Sequence, residues 1–265
     1  TITGGEPMLH RNFMDILTGI YERGMYVEEI NTNGYFLRQG VLDQMKERGI
    51  RPLMKISFDG IGHHDWLRGR KGAEEDAIRA IRLCRANDFP VMIQTNVHRH
   101  NLDTLLETAK LMDSLGVWKM RIIRTSEAPR WKENAGDAAL GLTEYYDRML
   151  EFASAYMKTG CRMDVIIWQF LRLYPVSGSY GMIPVLYREK EYRDLLPVCR
   201  GVRGMVAVAA NGNIFPCHQL SGTYELNGDI PGNVKKESLK HLLSASQYLC
   251  EVCTTVDKIR EHDRK

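Results

Sequence analysis

The sequence lacks the features that would place it in an extreme class of protein. No stretch of the 265 residues approaches the roughly eighteen uninterrupted apolar residues that a membrane-spanning helix needs. No charge of one sign dominates, because the formal net charge is only +3 and basic residues alternate with acidic ones along the chain. Since nucleic-acid binders concentrate basic residues on one face, we expect neither a nucleic-acid partner nor a membrane partner.

An export signal is also missing, although a lost N-terminus could have carried one. We therefore expect a cytoplasmic protein. Its six cysteines are then more typical of metal ligands, catalytic groups or buried thiols than of disulfides. Cys84 falls in an amphipathic helical pattern with Ile78 and Ile81, which predicts a small apolar core residue. Cys161 follows Gly160 at a predicted turn, and no role is predicted for it.

The first part of the chain alternates between short strand-like runs and longer helical ones. The predicted strands are "YVEEINTNG", "PLMKISFDG", "PVMIQTNV" and "WKMRIIRT", and the helices between them span about 41–48, 74–86 and 102–114. A repeated strand–helix order predicts an α/β fold, with a parallel sheet and helices outside it. Thr1 to Thr3 are typical of the end of a further strand, so we expect that the chain begins inside a domain.

From about Thr143 the pattern changes. The segments "TEYYDRMLEFASAYMKTG" and "IIWQFLRLY" predict two helices, and a loop is predicted over 175–184. The segment "MVAVAANGNIFPC" predicts a β-hairpin, because Asn211-Gly212 suits a tight turn between two apolar arms. We place a domain boundary near 185, which divides the chain into domains 1–184 and 185–265.

Four short motifs follow predicted strands directly: GGEP (4–7), NTNG (31–34), SFDG (57–60) and TNVH (95–98). In parallel sheets, ligand-binding residues gather at the carboxyl ends of the strands, because the loops converge there. Each motif could also be an ordinary turn, since Gly, Asn and Asp are the usual turn formers.

The later cysteines could form a metal site. Cys199 and Cys217 flank the predicted hairpin, whose ends lie close together, so the two thiols could face a common point. They could form a disulfide, bind zinc or supply half of the ligands of an iron–sulfur cluster. Cys250 and Cys253 have the C-x-x-C spacing of a metal knuckle, but the apolar residues around them favour a helix. A ligand role and a helical thiol therefore both stay open for this pair.

Taken together, the motifs resemble those of the radical S-adenosylmethionine (SAM) enzymes that carry a C-terminal SPASM domain, over nearly the whole chain. The resemblance implies a partial (β/α)6 TIM-like barrel followed by a small SPASM-type α+β region. It also implies that Gly4, Gly5 and Glu6 hold the methionine amino group of SAM. By the same resemblance, Ser57 contacts the SAM ribose and Arg68 contacts the SAM carboxylate.

The second half of the resemblance concerns metal ligands. Cys199, Gly212 and Cys217 fit the start of the SPASM cysteine pattern, which implies that the two cysteines bind an auxiliary [4Fe-4S] cluster. The segment "GDIPGNVKKESLKHLL" is similar to the part of the SPASM pattern that follows. Further cysteines that the family places after this segment are absent from the sequence, so we expect truncation at the C-terminus as well.

Radical SAM enzymes also use three cysteines, spaced C-x3-C-x2-C, to hold the [4Fe-4S] cluster whose electron cleaves SAM to a 5′-deoxyadenosyl radical. This sequence contains none of the three. We therefore expect that the first strand, the cluster loop and the first helix of the domain are missing, and that the chain as given neither assembles the cluster nor cleaves SAM. The electron donor implied by the resemblance is a flavodoxin or a ferredoxin.

The resemblance implies an oxidoreductase that modifies a peptide or protein. The phrase "FPCHQLSG" favours a maturase that forms a thioether, or another maturation of a ribosomally made peptide. One alternative is an anaerobic sulfatase-maturing, formylglycine-forming enzyme, in which an aspartate occupies the position of His218. His218 could act as a base or hold a hydrogen bond beside a cluster ligand. Another alternative is a non-catalytic, peptide-binding homologue. Glu127 and Trp131 could contact a peptide or pack their loop.

Overall fold

The structure is a computed structural model that describes residues 1–125, 136–168, 170–182, 206–216 and 221–244. The chain divides into two compact units, Thr1–Pro184 and Val185–Lys265.

A seven-stranded sheet forms the first unit. In their order across the sheet, the strands are β1 (Glu29–Thr32), β2 (Leu53–Ser57), β3 (Val91–Val97), β4 (Lys119–Arg124), β5 (Asp164–Ile167), β6 (Leu171–Tyr174) and β7 (Ser179–Met182). Strands β1 to β5 are parallel, and β6 and β7 continue the sheet in antiparallel pairing. Ile2 pairs in parallel with Ile30 of β1, so the start of the chain lies along the outer side of β1.

Helices alternate with these strands. They are α1 (Phe13–Glu22), α2 (Gln39–Glu47), α3 (His64–Arg68), α4 (Ala73–Ala86), α5 (Leu105–Ser114) and α6 (Leu142–Tyr156). The alternation confirms the predicted α/β architecture of a partial TIM-like barrel, and α2, α4 and α5 are the helices expected at about 41–48, 74–86 and 102–114. Within the described ranges, no helix combines the length and hydropathy of a membrane span.

The sheet has one apolar face and one polar face, because successive side chains of a strand point to opposite sides. The apolar face is fully buried against the helices and contains Ile30, Ile56, Ile93, Ile122 and Ile167. Cys84 of α4 packs into the same core, as predicted, and burial raises the pKa of its thiol to about 12. The opposite face carries polar side chains, which include Glu29, Lys55, Ser57, Gln94 and Arg121.

The helix predicted for "IIWQFLRLY" is wrong, because this segment contributes to the β5–β6 hairpin. Val165, Ile167, Leu171 and Leu173 are buried at alternate positions on either side of the turn, which is the period of a strand and not of a helix. The loop predicted over 175–184 is only partly correct. It includes β7, which pairs with β6.

The second unit contains the predicted hairpin, formed by β8 (Ala207–Val208) and β9 (Ile214–Phe215), and the helices α7 (Ser221–Asn227) and α8 (Leu239–Ser244). Gly212 in the hairpin turn has a φ of +92°. A Cβ at this position would lie 2.7 Å from Oδ1 of Asn233, so the turn requires glycine both for its conformation and for space. Ile214 and Leu242 form the small buried core of this unit.

Candidate active site

The GGEP loop begins where the start of the chain joins the sheet. The N–H of Ile2 donates to the carbonyl of Glu29 at 2.9 Å, and the loop then turns away at Gly4, whose φ is +131°. A Cβ built on Gly4 or on Gly5 would meet no atom within 4 Å. The backbone of both glycines is therefore open on one side, where a ligand could approach it closely.

Glu6 fixes this loop to the carboxyl end of β1. The hydroxyl of Thr32 lies 2.9 Å from both carboxylate oxygens of Glu6, and the N–H of Asn33 donates to Oε2 at 2.8 Å. The N–H of Met8 donates to Oε1 at 3.3 Å. The carboxylate of Glu6 thus binds the protein's own backbone and hydroxyl groups, and it positions the two glycines beside β1.

Asn31 of β1 adds an unsatisfied acceptor next to the loop. Its amide nitrogen donates to the hydroxyl of Thr3 at 3.1 Å, but its Oδ1 is buried without a hydrogen-bond partner. A buried acceptor without a donor costs about 1–3 kcal/mol, so such a group indicates a donor that a ligand supplies.

Ser57 ends β2 on the polar face of the sheet. Its lateral neighbour on β3 is Gln94, and the neighbour of Gln94 on β4 is Arg121. We call these three residues the polar row. Within the part of the chain that the structure describes, none of the three side chains donates or accepts a hydrogen bond. Nε of Arg121 is buried and has no hydrogen-bond partner there. The polar row is therefore free to bind a ligand.

Asp59, two residues after Ser57, is fully buried among hydrogen-bond donors. Its Oδ2 accepts from Nε and Nη2 of Arg68 at 2.8 and 2.7 Å, and Nδ1 of His64 lies 3.0 Å from the same oxygen. Its Oδ1 accepts two hydrogen bonds from Asn96, each 2.9 Å long. Burial alone would raise the pKa of Asp59, but the hydrogen bond with His64 and the charge of Arg68 outweigh it and hold this pKa below its usual range.

This arrangement affects the role predicted for Arg68. Two of its three guanidinium nitrogens contact Asp59, and its side chain is 30% exposed. Both N–H groups of Nη1 and the second N–H of Nη2 are thus left for a contact with the SAM carboxylate. The pattern of residues drew attention to Arg68 but not to Asp59, although Asp59 stands in the quoted SFDG motif.

A group of rings packs α3 against the carboxyl end of β3. The ring centroid of Trp66 lies 5.0 Å from that of His98 and 4.8 Å from that of His100. His98 is fully buried, and burial lowers its pKa to about 4, so its imidazole is neutral at pH 7. The described residues contain no group of three or more His, Cys, Asp or Glu side chains that could hold a metal ion.

Several residues with predicted roles lie outside the described part of the chain: Glu127, Trp131, Cys199, Cys217, His218, Cys250 and Cys253. Their roles stay predictions.

Comparison with known families gives a match over the part of the chain that contains the GGEP loop, Ser57 and Arg68. Residues 1–112 match the sequence profile of the radical SAM superfamily. The first 112 residues are thus similar to the radical SAM domain of this superfamily.

Two relatives extend the similarity beyond residue 112. An AdoMet-dependent heme synthase of Methanosarcina barkeri is 24% identical over 247 residues, which cover 91% of this chain and 66% of that protein. A PqqA peptide cyclase of Granulibacter bethesdensis is 24% identical over 221 residues, which cover 82% of this chain and 53% of that protein. The chain thus spans between about half and two thirds of the length of these relatives.

A solved structure supports the fold. Streptococcus suis SuiB, in a crystal structure bound to the precursor peptide SuiA, superposes with a TM-score of 0.69 at 12% identity. The superposition covers 92% of this chain and 53% of the SuiB chain. This chain and SuiB therefore share a fold.

The described residues of the first unit fit SAM. They offer open backbone at Gly4 and Gly5, a buried acceptor on Asn31 and an unpaired hydroxyl on Ser57. They do not offer ligands for an iron–sulfur cluster, because the cysteines among them are buried in the core or packed against it.

Proposed function

We propose that this protein is a radical SAM enzyme that modifies a peptide or protein substrate, and that it forms a thioether or carries out another maturation of a ribosomally made peptide. The observation that carries the proposal is the GGEP loop, which Glu6 attaches to β1 with its glycine backbone open. The peptide cyclase among the relatives supports a peptide as the substrate.

In this proposal, the residues of the domain bind and orient SAM. Asn31 accepts a hydrogen bond from the methionine ammonium beside Gly4 and Gly5, and Ser57 donates to a ribose hydroxyl. Arg68 contacts the carboxylate with the nitrogen that Asp59 leaves unused. Bound SAM would supply a 5′-deoxyadenosyl radical for the abstraction of a hydrogen atom from the substrate.

The second unit belongs to the same proposal as a SPASM-type region over 185–265. Cys199 and Cys217 would bind an auxiliary [4Fe-4S] cluster, and the hairpin between them in sequence fits the spacing of that pattern. His218 would lie beside this cluster, where it would act as a base or donate a hydrogen bond. A flavodoxin or a ferredoxin would supply the electron.

One relative favours a second candidate function. The AdoMet-dependent heme synthase matches 91% of this chain, so a tetrapyrrole is the competing substrate class. A sulfatase-maturing activity is a weaker candidate, because His218 stands where such enzymes have an aspartate.

The proposed SAM site is tested by placing a methyl group on Gly5. A side chain at this position meets no protein atom within 4 Å, so Gly5→Ala should fold normally. If SAM approaches this backbone, the methyl group should lower the affinity for SAM about tenfold, as overpacking does in a filled site. Equilibrium dialysis of SAM against the anaerobically purified full-length protein measures the affinity.

Gly40→Ala is the matched control, because Gly40 is exposed on α2 and a side chain there also meets no atom within 4 Å. We expect this control to bind SAM as the wild type does. The proposal is wrong if the wild type binds no SAM, or if Gly5→Ala and Gly40→Ala bind it equally well.

The substrate class requires a separate measurement. The reduced enzyme is incubated with SAM and either a cysteine-rich peptide encoded beside its gene or a tetrapyrrole. Thioether formation removes two hydrogen atoms from the peptide: the deoxyadenosyl radical would take one from carbon, and the thiol would lose the other as a proton, whose electron the proposed auxiliary cluster would accept. Mass spectrometry detects the loss of these two hydrogen atoms. Turnover of the tetrapyrrole alone would favour the second candidate.

A further inference from the structure

Arg121 places an unpaired positive charge on the polar face of the sheet. Its side chain is half-buried, and its Nε is buried without a hydrogen-bond partner. Its guanidinium carbon lies 4.8 Å from the centroid of the Trp168 ring, so one side of the planar group rests on an aromatic surface. No carboxylate among the described residues lies within ion-pair distance of Arg121.

The surrounding charges do not neutralise Arg121. Glu29, whose charge acts on Arg121, already pairs with Lys55 at 3.1 Å. On the neighbouring strand β5, Asp164 is the lateral partner of Lys119 and forms no ion pair with Arg121. Arg172 of β6 lies in the same lateral row as Arg121, one strand beyond Ile166, and it also has no ion pair within the described ranges. Burial lowers the pKa of Arg121; the charge of Glu29 opposes this effect and the charge of Arg172 adds to it.

A partly buried guanidinium without an anion is unfavourable, and its planar group of donors matches a carboxylate. We propose that Arg121 binds an acidic side chain of the peptide substrate, and that Arg172, two strands further along the same row, adds positive charge to this face of the sheet. This inference rests on the proposed function, and it adds that the peptide carries a glutamate or aspartate close to the residue that is modified. Gln94, between Ser57 and Arg121, would donate a further hydrogen bond to the same substrate.

The carboxylate of SAM is a second possible source of the anion, but the order of the strands argues against it. The GGEP loop lies on the outer side of β1, Ser57 ends β2, and Arg121 lies on β4. If the methionine of SAM binds at the loop and the ribose at Ser57, Arg121 lies on the other side of the ribose. It is two strands from Ser57, which corresponds to about 10 Å.

The test uses NMR to observe the Nε–H of Arg121 in the full-length protein with SAM bound. The probes are N-acetylglutamic acid amide and its neutral counterpart, N-acetylglutamine amide. We expect the acidic probe at millimolar concentration to shift the Arg121 Nε–H resonance, and the neutral probe to leave it unchanged. Arg121→Gln removes this Nε–H, so binding of the acidic probe to the wild type and to every variant is also followed through the side-chain amide resonances of Gln94, the lateral neighbour of Arg121. The affinity of Arg121→Gln for the acidic probe should be about tenfold lower or more, because a charge-assisted hydrogen bond is lost.

Lys119→Gln is the matched control. It removes the same charge from the same strand and the same face, two positions earlier. The control should bind the acidic probe as the wild type does, whereas an equal loss in both variants would show a general charge effect and overturn the inference. If Arg121→Gln does not fold, Arg121→Lys is used in its place. It keeps the charge without the planar group, and its affinity for the acidic probe should also be lower.

The affinity for SAM separates the two proposals. If SAM binds but neither probe shifts Arg121, the acidic-substrate inference is wrong and the proposed function stands. If Arg121→Gln lowers the affinity for SAM but not the affinity for the acidic probe, Arg121 binds the SAM carboxylate. This result also overturns the inference. If the wild type binds no SAM, the proposed function itself fails.

Discussion

Glu6 and Asp59 are two carboxylates whose hydrogen bonds within the protein shape the candidate site. Glu6 binds the end of β1 and so sets the position of Gly4 and Gly5. Asp59 binds Arg68 and Asn96, and so ties the loop after β2 to β3. Both residues are positioning residues, because their oxygens are used by neighbouring donors.

His98 should make the stability of the first unit depend on pH. Burial lowers its pKa to about 4 in the folded protein, while an unfolded histidine titrates near 6.5. Its stabilising effect is therefore fully present above about pH 6.5, and it is lost as the pH falls toward about 4, because the unfolded chain then binds a proton that the native state does not. The loss should reach at most about 3 kcal/mol.

Urea unfolding between about pH 7 and about pH 4.5 measures this effect. In His98→Gln, the free energy of unfolding should decline less over this pH range than in the wild type. In His241→Gln it should decline as in the wild type, since the side chain of His241 is 70% exposed. An unchanged pH dependence in His98→Gln would contradict the prediction. The stabilisation from Asp59 stays present over this range and is lost only at lower pH, because its pKa lies below its ordinary value of 3.8.

At the scale of elements, the spacing of apolar residues along the chain decided which secondary-structure predictions were confirmed. The strands β1 to β4 were predictable because each is a short apolar run between turn residues and a helical pattern follows most of them. The β5–β6 hairpin was not, because a nine-residue segment with seven apolar residues is compatible with a helix, and only pairing with β4 makes the strand the better conformation.

Gly34, in the loop after β1, should be intolerant of a side chain because α4 packs against it. Its φ is +80°, and a Cβ would lie 2.8 Å from Cβ of Ala80 and 3.4 Å from Cα of Ala77. Gly34→Ala should lower the free energy of unfolding by about 2–4 kcal/mol, from left-handed backbone strain plus overpacking.

Gly49→Ala is the comparison, because Gly49 has a φ of +69° but no atom within 4 Å of its Cβ position. This substitution should lower the free energy of unfolding by only about 1 kcal/mol, because only the backbone strain is added. Urea denaturation of both variants measures the difference, and equal losses would show that the contact with α4 is not tight.

At the scale of the whole molecule, the two units have separate buried cores. The core of the first unit includes Ile122, and that of the second consists of Ile214 and Leu242. Leu242→Ala should reduce hydrogen-exchange protection of the backbone in β8 and β9 and leave β4 unaffected, while Ile122→Ala should do the reverse. Each substitution should lower the free energy of unfolding of its own unit by about 2–5 kcal/mol.

Hydrogen exchange followed by mass spectrometry measures both effects in the full chain. A loss of protection in β4 on Leu242→Ala, equal to the loss in β9, would mean that the two units unfold together. Such a result would overturn the prediction of separate stability.

The sequence by itself determined the α/β class, the first four strands, the hairpin at Gly212, the core position of Cys84 and the resemblance to radical SAM enzymes. These follow from periodicity and from short motifs, which are local properties of the chain. Only the tertiary structure decided that Glu6 binds the end of β1, that Asp59 holds Arg68, and that Ser57, Gln94 and Arg121 form one row. Lateral neighbours in a sheet depend on the register between strands that are distant in sequence, and a local pattern contains no information about that register.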